Sequence, residues 1–173
     1  MNSAHEAELI GRAQAGSVDA FERLVAHYQP RLSRYLGMRG LPQHDADDAV
    51  QRALIAAWQN LESYRSKWRF STWIYTIAQR SIERSRELPD SPTVEARADD
   101  RDEFQRQLRD NVWTAAREHL DTEAFTALWL HHGEGFSGAE TARIMKRSQV
   151  WVRVGLHRSR QTLKRLLHSG EPV

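Results

Sequence analysis

The sequence predicts an all-α chain built as two small helical domains joined by an acidic linker. Apolar residues recur at three- and four-residue spacing along most of the 173 residues, and no Val/Ile/Thr run alternates with period two. Only 9 Gly and 5 Pro interrupt these patterns. Composition then shifts at Leu88. From there to Glu103, two prolines and six acids stand against two arginines, with few apolar anchors. The expected boundaries are residues 1–87, a flexible tether over 88–103, and residues 104–173.

In chain order, Ala4–Ala15 is a short, weakly amphipathic helix carrying Ala7, Leu9, Ile10 and Ala13, stopped by Gly16. Ser17 caps a second helix with Phe21, Leu24, Val25, Tyr28, Leu32, Tyr35 and Leu36 on one face. Pro30 lies inside this pattern, which predicts a kink or short break. Gly37–Pro42 is a turn. Asp45 opens a third helix striped by Ala46, Val50, Ala53, Ala57 and Leu61, with its early acids favoured by the helix dipole. Tyr64–Arg69 is a loop, and Ser71 or Thr72 caps a fourth helix with Trp73, Ile74, Ile77, Ala78 and Ile82.

After the linker, Phe104–Leu120 resumes helical periodicity through Leu108, Val112, Trp113 and Ala116. Asp121 or Thr122 caps a helix with Phe125, Leu128 and Trp129, broken at Gly133 and Gly135. Ser137-Gly138-Ala139-Glu140 is a capping box opening a short helix. Lys146-Arg147 forms a turn, and Ser148 caps a last helix with Val152, Leu156, Leu163, Leu166 and Leu167. A short capped helix, a tight turn and a longer basic helix make a helix-turn-helix pattern.

Composition narrows the chemistry. The formal net charge is only +2, so the distribution of charge has to identify partners. The absence of cysteine removes disulfides, thiolate metal sites and cysteine nucleophiles, and fits a reducing cytoplasm. No window approaches 18 apolar residues, and the N-terminus has acids where a signal peptide needs basic residues, so no membrane insertion is expected. No Gly-rich phosphate loop, nucleophile elbow or catalytic triad is present. His131-His132 has neither acid nor cysteine at ligand spacing. The expectation is a non-enzymatic protein without metal or cofactor.

Three stretches carry binding chemistry. Thr141–His168 holds eight Lys or Arg residues and no acid, which favours phosphate neutralisation on DNA. In it, Gln149, Trp151 and Arg153 at the start of the last helix are placed for base edges, and Arg147, Arg158 and Arg160 for phosphates. Tyr64–Arg86 combines Arg65, Lys67, Arg69, Arg80, Arg84 and Arg86 with Tyr64, Trp68, Phe70, Trp73 and Tyr75. Unstacked bases gain on the order of 1–3 kcal/mol each on aromatic faces. Core packing is the preferred reading for Phe70, Trp73 and Ile77, whereas Trp68 lies between two cations in a loop. Asp45, Asp47 and Asp48 with Gln51 form an acidic start that reads equally well as a helix cap or a protein-binding patch.

The order and spacing of these segments resemble the extracytoplasmic function (ECF) group of bacterial sigma factors, over nearly the whole chain. FERLVAHYQPRLSRYL resembles the family's first conserved helix. DADDAVQRALIAAWQNLESY resembles its polymerase-binding segment, RFSTWIYTIAQ its promoter-melting helix, and Phe136–Leu167 its helix-turn-helix. The resemblance implies core RNA polymerase and promoter DNA as partners, and an anti-sigma protein as a further one. It implies polymerase binding by Asp47, Asp48, Gln51, Ile55 and Trp58. It implies capture of minus-ten bases by Arg65, Lys67, Trp68, Arg69, Ser71, Thr72 and Trp73, with Gln79 and Arg80 following. It implies minus-thirty-five reading by Arg147, Ser148, Gln149, Trp151, Arg153, His157, Arg158 and Arg160, and contact of the polymerase flap by Leu120, Phe125, Leu128 and Trp129, which would also build the small core.

The chain departs from the family pattern in three places, one of them Phe125, where the family often has an Arg. Gln79 and Arg80 stand where an Arg-Asn pair is usual, and Val154 and Gly155 occupy two usually polar DNA-facing positions. An unusual or weak minus-thirty-five preference follows. Two alternatives stay open on sequence: a dimeric helix-turn-helix regulator, and a sigma-like protein that binds polymerase without normal promoter reading.

Overall fold

The structure is a computed structural model, and it describes residues 1–39, 43–85 and 112–169. The expected linker, Phe104, Leu108 and Arg86 lie outside the described residues. The chain forms two compact units, Met1–Ala96 and Arg97–Val173. Every described element is helical.

In the first unit, α1 (Ser3–Gln14) is capped by Asn2, whose side chain accepts from the His5 N–H at 2.8 Å. It buries Leu9, Ile10 and Ala13, whereas Ala7, expected on that face, is exposed. Gly16 takes φ 94°, a left-handed turn that costs glycine little, and the chain passes directly to Ser17, the cap of α2 (Val18–Met38). Pro30 does not break α2. Ala26 and Pro30 are both exposed, so the carbonyl that loses its helical partner lies on the solvent side.

α3 (Gln43–Gln59) buries Ala46, Ala49, Val50, Ala53 and Ala57. These small side chains let it lie close against both α2 and α4 (Phe70–Ser85). A single turn, Leu61–Ser63, and the segment up to Arg69 join α3 to α4. α4 starts at Phe70, with the Trp73 N–H bonded to the Arg69 carbonyl. Ser71 and Thr72 are therefore inside the helix and neither is its cap.

In the second unit, α5 (residues 112–119) brings Trp113 against Phe125 and Trp129, with ring centroids 6.2 and 4.8 Å apart. α6 (Thr122–Leu128) is capped by Asp121 and runs into a wide turn, Trp129–Gly133. A Cβ on Gly133 would come within 3.0 Å of the Trp129 ring, so the chain folds back there only because no side chain intervenes. α7 (Gly138–Met145) carries the Ser137–Glu140 capping box. Lys146, at φ 54°, turns the chain into α8 (Gln149–Ser169), where the Ser148 Oγ accepts from the Trp151 N–H at 3.1 Å. Both α6 and α7 pack on α8, which buries Val152, Leu156, Ser159 and Leu163.

Gly155 lies in the interior of α8, and a Cβ placed on it would meet only the Trp151 ring, at an ordinary 4.0 Å. Gly155→Ala is expected to stabilise the protein by about 0.5–1 kcal/mol. Thermal unfolding of the isolated protein should show Tm rising by a few degrees, and a fall would mean that the site does not tolerate a methyl group.

Candidate functional site

Three surfaces gather the residues singled out in the sequence. The first is the outward face of α3. At about 100° per residue, Asp47, Asp48, Gln51, Ile55 and Trp58 share one arc opposite the alanine stripe. All five are exposed, Ile55 at 51% and Trp58 at 38%. The Trp58 ring rests on Phe21 at 4.9 Å, which holds it in place without covering it. An apolar pair rimmed by carboxylates and an amide has the make-up of a protein-binding surface.

The second surface is the loop from Arg65 to Arg69. Its shape is held from two sides. The Gln14 side-chain amide of α1 donates to the carbonyls of Leu61 and Tyr64 at 3.0 and 3.2 Å. The Tyr64 hydroxyl donates to the Trp68 carbonyl at 2.9 Å, and its ring packs on Phe70 and Trp73, both at 5.3 Å. Burial, with a smaller contribution from Glu6, raises the Tyr64 pKa, so it stays a neutral donor. Arg65, Lys67 and Arg69 are exposed, and Trp68, Ser71 and Trp73 are half-buried. Arg65 lies back along its own turn, donating to the Glu62 and Tyr64 carbonyls at 2.6 and 3.0 Å.

Four residues expected to face DNA from this segment do not. Thr72 is fully buried. Gln79 is 6% exposed and accepts a hydrogen bond from the Tyr35 hydroxyl at 2.7 Å. Tyr64 and Tyr75 are buried, so their ring faces belong to the core. The cause is the helical period: Thr72, Tyr75 and Gln79 are three and four residues apart and fall on the face of α4 turned inward. Arg80, next along, is exposed. The Arg84 side chain lies outside the described residues.

The third surface is α8. Gln149, Arg153, His157, Arg158 and Arg160 are exposed and Trp151 is half-exposed. Ser148 is committed to the cap. Arg147 pairs with Glu123 of α6, and its guanidinium lies 5.4 Å over the Trp151 ring, so it also braces the turn. Phe125, Leu128 and Trp129 are buried and build the core of this unit, the structural half of what was expected of them. Leu120 is half-buried. Burial, then His131 and Arg160, lower the His132 pKa, which keeps its ring neutral near pH 7. Among the described residues, no three His, Asp or Glu side chains gather as a metal site, and no helix is long and apolar enough to cross a membrane.

The family model for sigma-70 region 2 matches residues 24–87, the stretch that holds both the α3 face and the cationic loop. The chain is 30% identical to the ECF RNA polymerase sigma factor BldN of Streptomyces coelicolor, over 96% of this chain and 67% of that protein. This chain is an ECF sigma factor. It is also 28% identical to the ECF RNA polymerase sigma-E factor of Escherichia coli K12, over 90% of each chain. In fold, this sigma factor is similar to CnrH, solved in complex with the cytosolic domain of CnrY, with TM-score 0.69 and 24% identity over 96% and 99% of the two chains. It is similar too to the sigma factor RpoE of Bartonella quintana, solved with the anti-sigma factor NepR, with TM-score 0.65 and 20% identity over 89% and 100%.

Gln14 and Val150 were missed in the sequence of this sigma factor. Gln14 leaves no local signal, because its acceptors are 47 and 50 residues away. Val150 does leave one: it stands four residues before Val154 and opposite the Val152–Leu156 core stripe.

Proposed function

We propose that this sigma factor binds core RNA polymerase through the exposed face of α3, captures unpaired minus-ten bases with the Arg65–Arg69 loop, and sets α8 against an upstream promoter element. The observation that carries the reading is the α3 face. Ile55 and Trp58 stand exposed beside Asp47, Asp48 and Gln51, and the cationic loop follows within a few residues. One short segment thus offers a protein-binding surface and, next to it, a nucleic-acid surface. On this reading the protein has no catalytic site of its own and acts in the cytoplasm, where polymerase is. The acidic segment 88–103 serves as the tether between the domains 1–87 and 104–173. An anti-sigma protein is a further partner, and a stress or envelope signal the occasion for its release.

Run-off transcription with bacterial core polymerase on a pool of genomic promoter fragments tests the reading. Discrete transcripts that depend on the protein are expected. Polymerase binding without transcripts would instead point to an interaction-only protein, and neither result to a helix-turn-helix regulator acting alone. The α3 assignment has its own check. Asp48→Ala with Gln51→Ala is expected to weaken the complex with core polymerase by roughly tenfold or more, at about 1 kcal/mol for each side chain truncated at an interface. Helicity should be unchanged, because both side chains are exposed. Unaltered affinity would remove these residues from the interface.

A further inference from the structure

Met1, Val18, Ile55, Trp58, Val150 and Val154 are the large hydrophobic side chains exposed among the described residues. Ile55 and Trp58 belong to the α3 face. Val150 and Val154, 60% and 39% exposed, are one turn apart at the start of α8. At about 100° per residue, the buried stripe of Val152, Leu156, Ser159 and Leu163 points one way. Val150, Val154, His157 and Gln161 point almost directly opposite. The outermost ridge of α8 therefore begins with two valines. Arg153 and Lys164 lie on one flank of this ridge and Arg158 on the other, all exposed. No acid occurs between Thr141 and His168, so the whole face complements a polyanion.

Resting on the reading of α8 as the upstream DNA-binding helix, we infer that Val150 and Val154 read thymine methyl groups in the major groove. The flanking cations hold the two strands and draw the ridge into the groove. A valine there has nothing to offer the hydrogen-bonding edge of a base. Set against the cytosine amino group or the guanine acceptors, it would strip water from them and give no partner in return. Thymine alone presents an apolar group at the major-groove edge. Four residues of helix rise about 6 Å, against about 3.4 Å per base on one strand, so the two valines reach thymines one or two base pairs apart. Ordinary polar readout is left to Gln149 and Arg153 beside them.

Deoxyuridine, which differs from thymidine only in lacking that methyl group, tests this directly. The full-length protein, loaded on bacterial core polymerase, is used to retain duplexes from a pool of genomic promoter fragments. Retained duplexes are then remade with deoxyuridine at one upstream thymidine at a time. One or two positions are expected at which uridine weakens binding about three- to fivefold, the worth of one buried methyl group. The double variant Val150→Ser, Val154→Ser should bind the thymidine and uridine duplexes alike, at the affinity the unaltered protein has for uridine. Circular dichroism checks its fold, which two exposed positions should not disturb. Retained duplexes with no uridine-sensitive position, or sensitivity that survives in the double variant, overturn the inference and leave α8 a DNA-binding helix. If no duplex is retained at all, the assignment of α8 to DNA falls too, and the inference with it.

Discussion

Trp68→Ala is expected to reduce open-complex formation on promoter DNA by about 5- to 150-fold, corresponding to roughly 1–3 kcal/mol for one lost base stack. Binding to closed duplex should stay within about twofold. The expectation follows from how the loop presents the residue. Trp68 lies between exposed Lys67 and Arg69, and its ring is half-buried. Its backbone is fixed by the Tyr64 hydroxyl, which donates to the Trp68 carbonyl at 2.9 Å. Tyr64 is itself wedged against Phe70 and Trp73, and the start of the loop is fastened to α1 through Gln14. An aromatic face held in this way loses little freedom when a base stacks on it. Permanganate reactivity of unpaired thymines measures opening, and filter binding to a duplex that cannot open measures the rest. Trp68→Phe should recover most of the opening, because it restores a ring. Equal losses in opening and duplex binding for Trp68→Ala would point to a structural role and end the base-capture assignment.

Phe70→Ala is expected to destabilise the first unit by about 3–5 kcal/mol, from lost burial and the cavity left behind. Phe70 is 1% exposed. Its ring lies 5.5 Å from Tyr28, 5.3 Å from Tyr64 and 5.3 Å from Trp73, so it joins α2, the segment leading into the Arg65–Arg69 loop and α4. Tyr28 in turn donates to Glu6 of α1, and burial, reinforced by that carboxylate, raises its pKa and keeps it protonated as a donor. Removing one ring would loosen four segments together. A loss of this size is a large share of the stability of a small domain. Chemical denaturation, followed through the first unit's tryptophans, should show its midpoint fall sharply or its folded baseline disappear. A loss under about 1 kcal/mol would mean that the cluster repacks around the gap.

The two substitutions separate the surface of the loop from its support. Trp68→Ala should leave the fold intact and remove a function, whereas Phe70→Ala should remove both. Gln14 sits between these cases. It donates to two backbone carbonyls of the segment leading into the loop, so α1 contributes to how the loop is shaped.

What the sequence by itself determined is whatever depends on neighbours three or four residues apart. The caps at Ser17, Ser137 with Glu140, and Ser148 were legible, and that of α6 was narrowed to Asp121 or Thr122, because each closes a hydrogen bond to a backbone N–H three residues on. The outward arc of α3 and the uninterrupted positive charge of the last helix were legible for the same reason, since helical periodicity alone sets which side chains share a face. Tertiary structure decided the rest. Thr72 and Gln79 belong to the interior because α4 turns that face inward, where the Tyr35 hydroxyl meets Gln79. Arg147 is drawn to Glu123, 24 residues away. Pro30 passes within a continuous helix because its lost hydrogen bond faces water. A partner tens of residues distant leaves no mark in a local pattern. Only packing brings such groups within reach of each other, and burial then settles which polar side chains serve the fold and which remain at the surface.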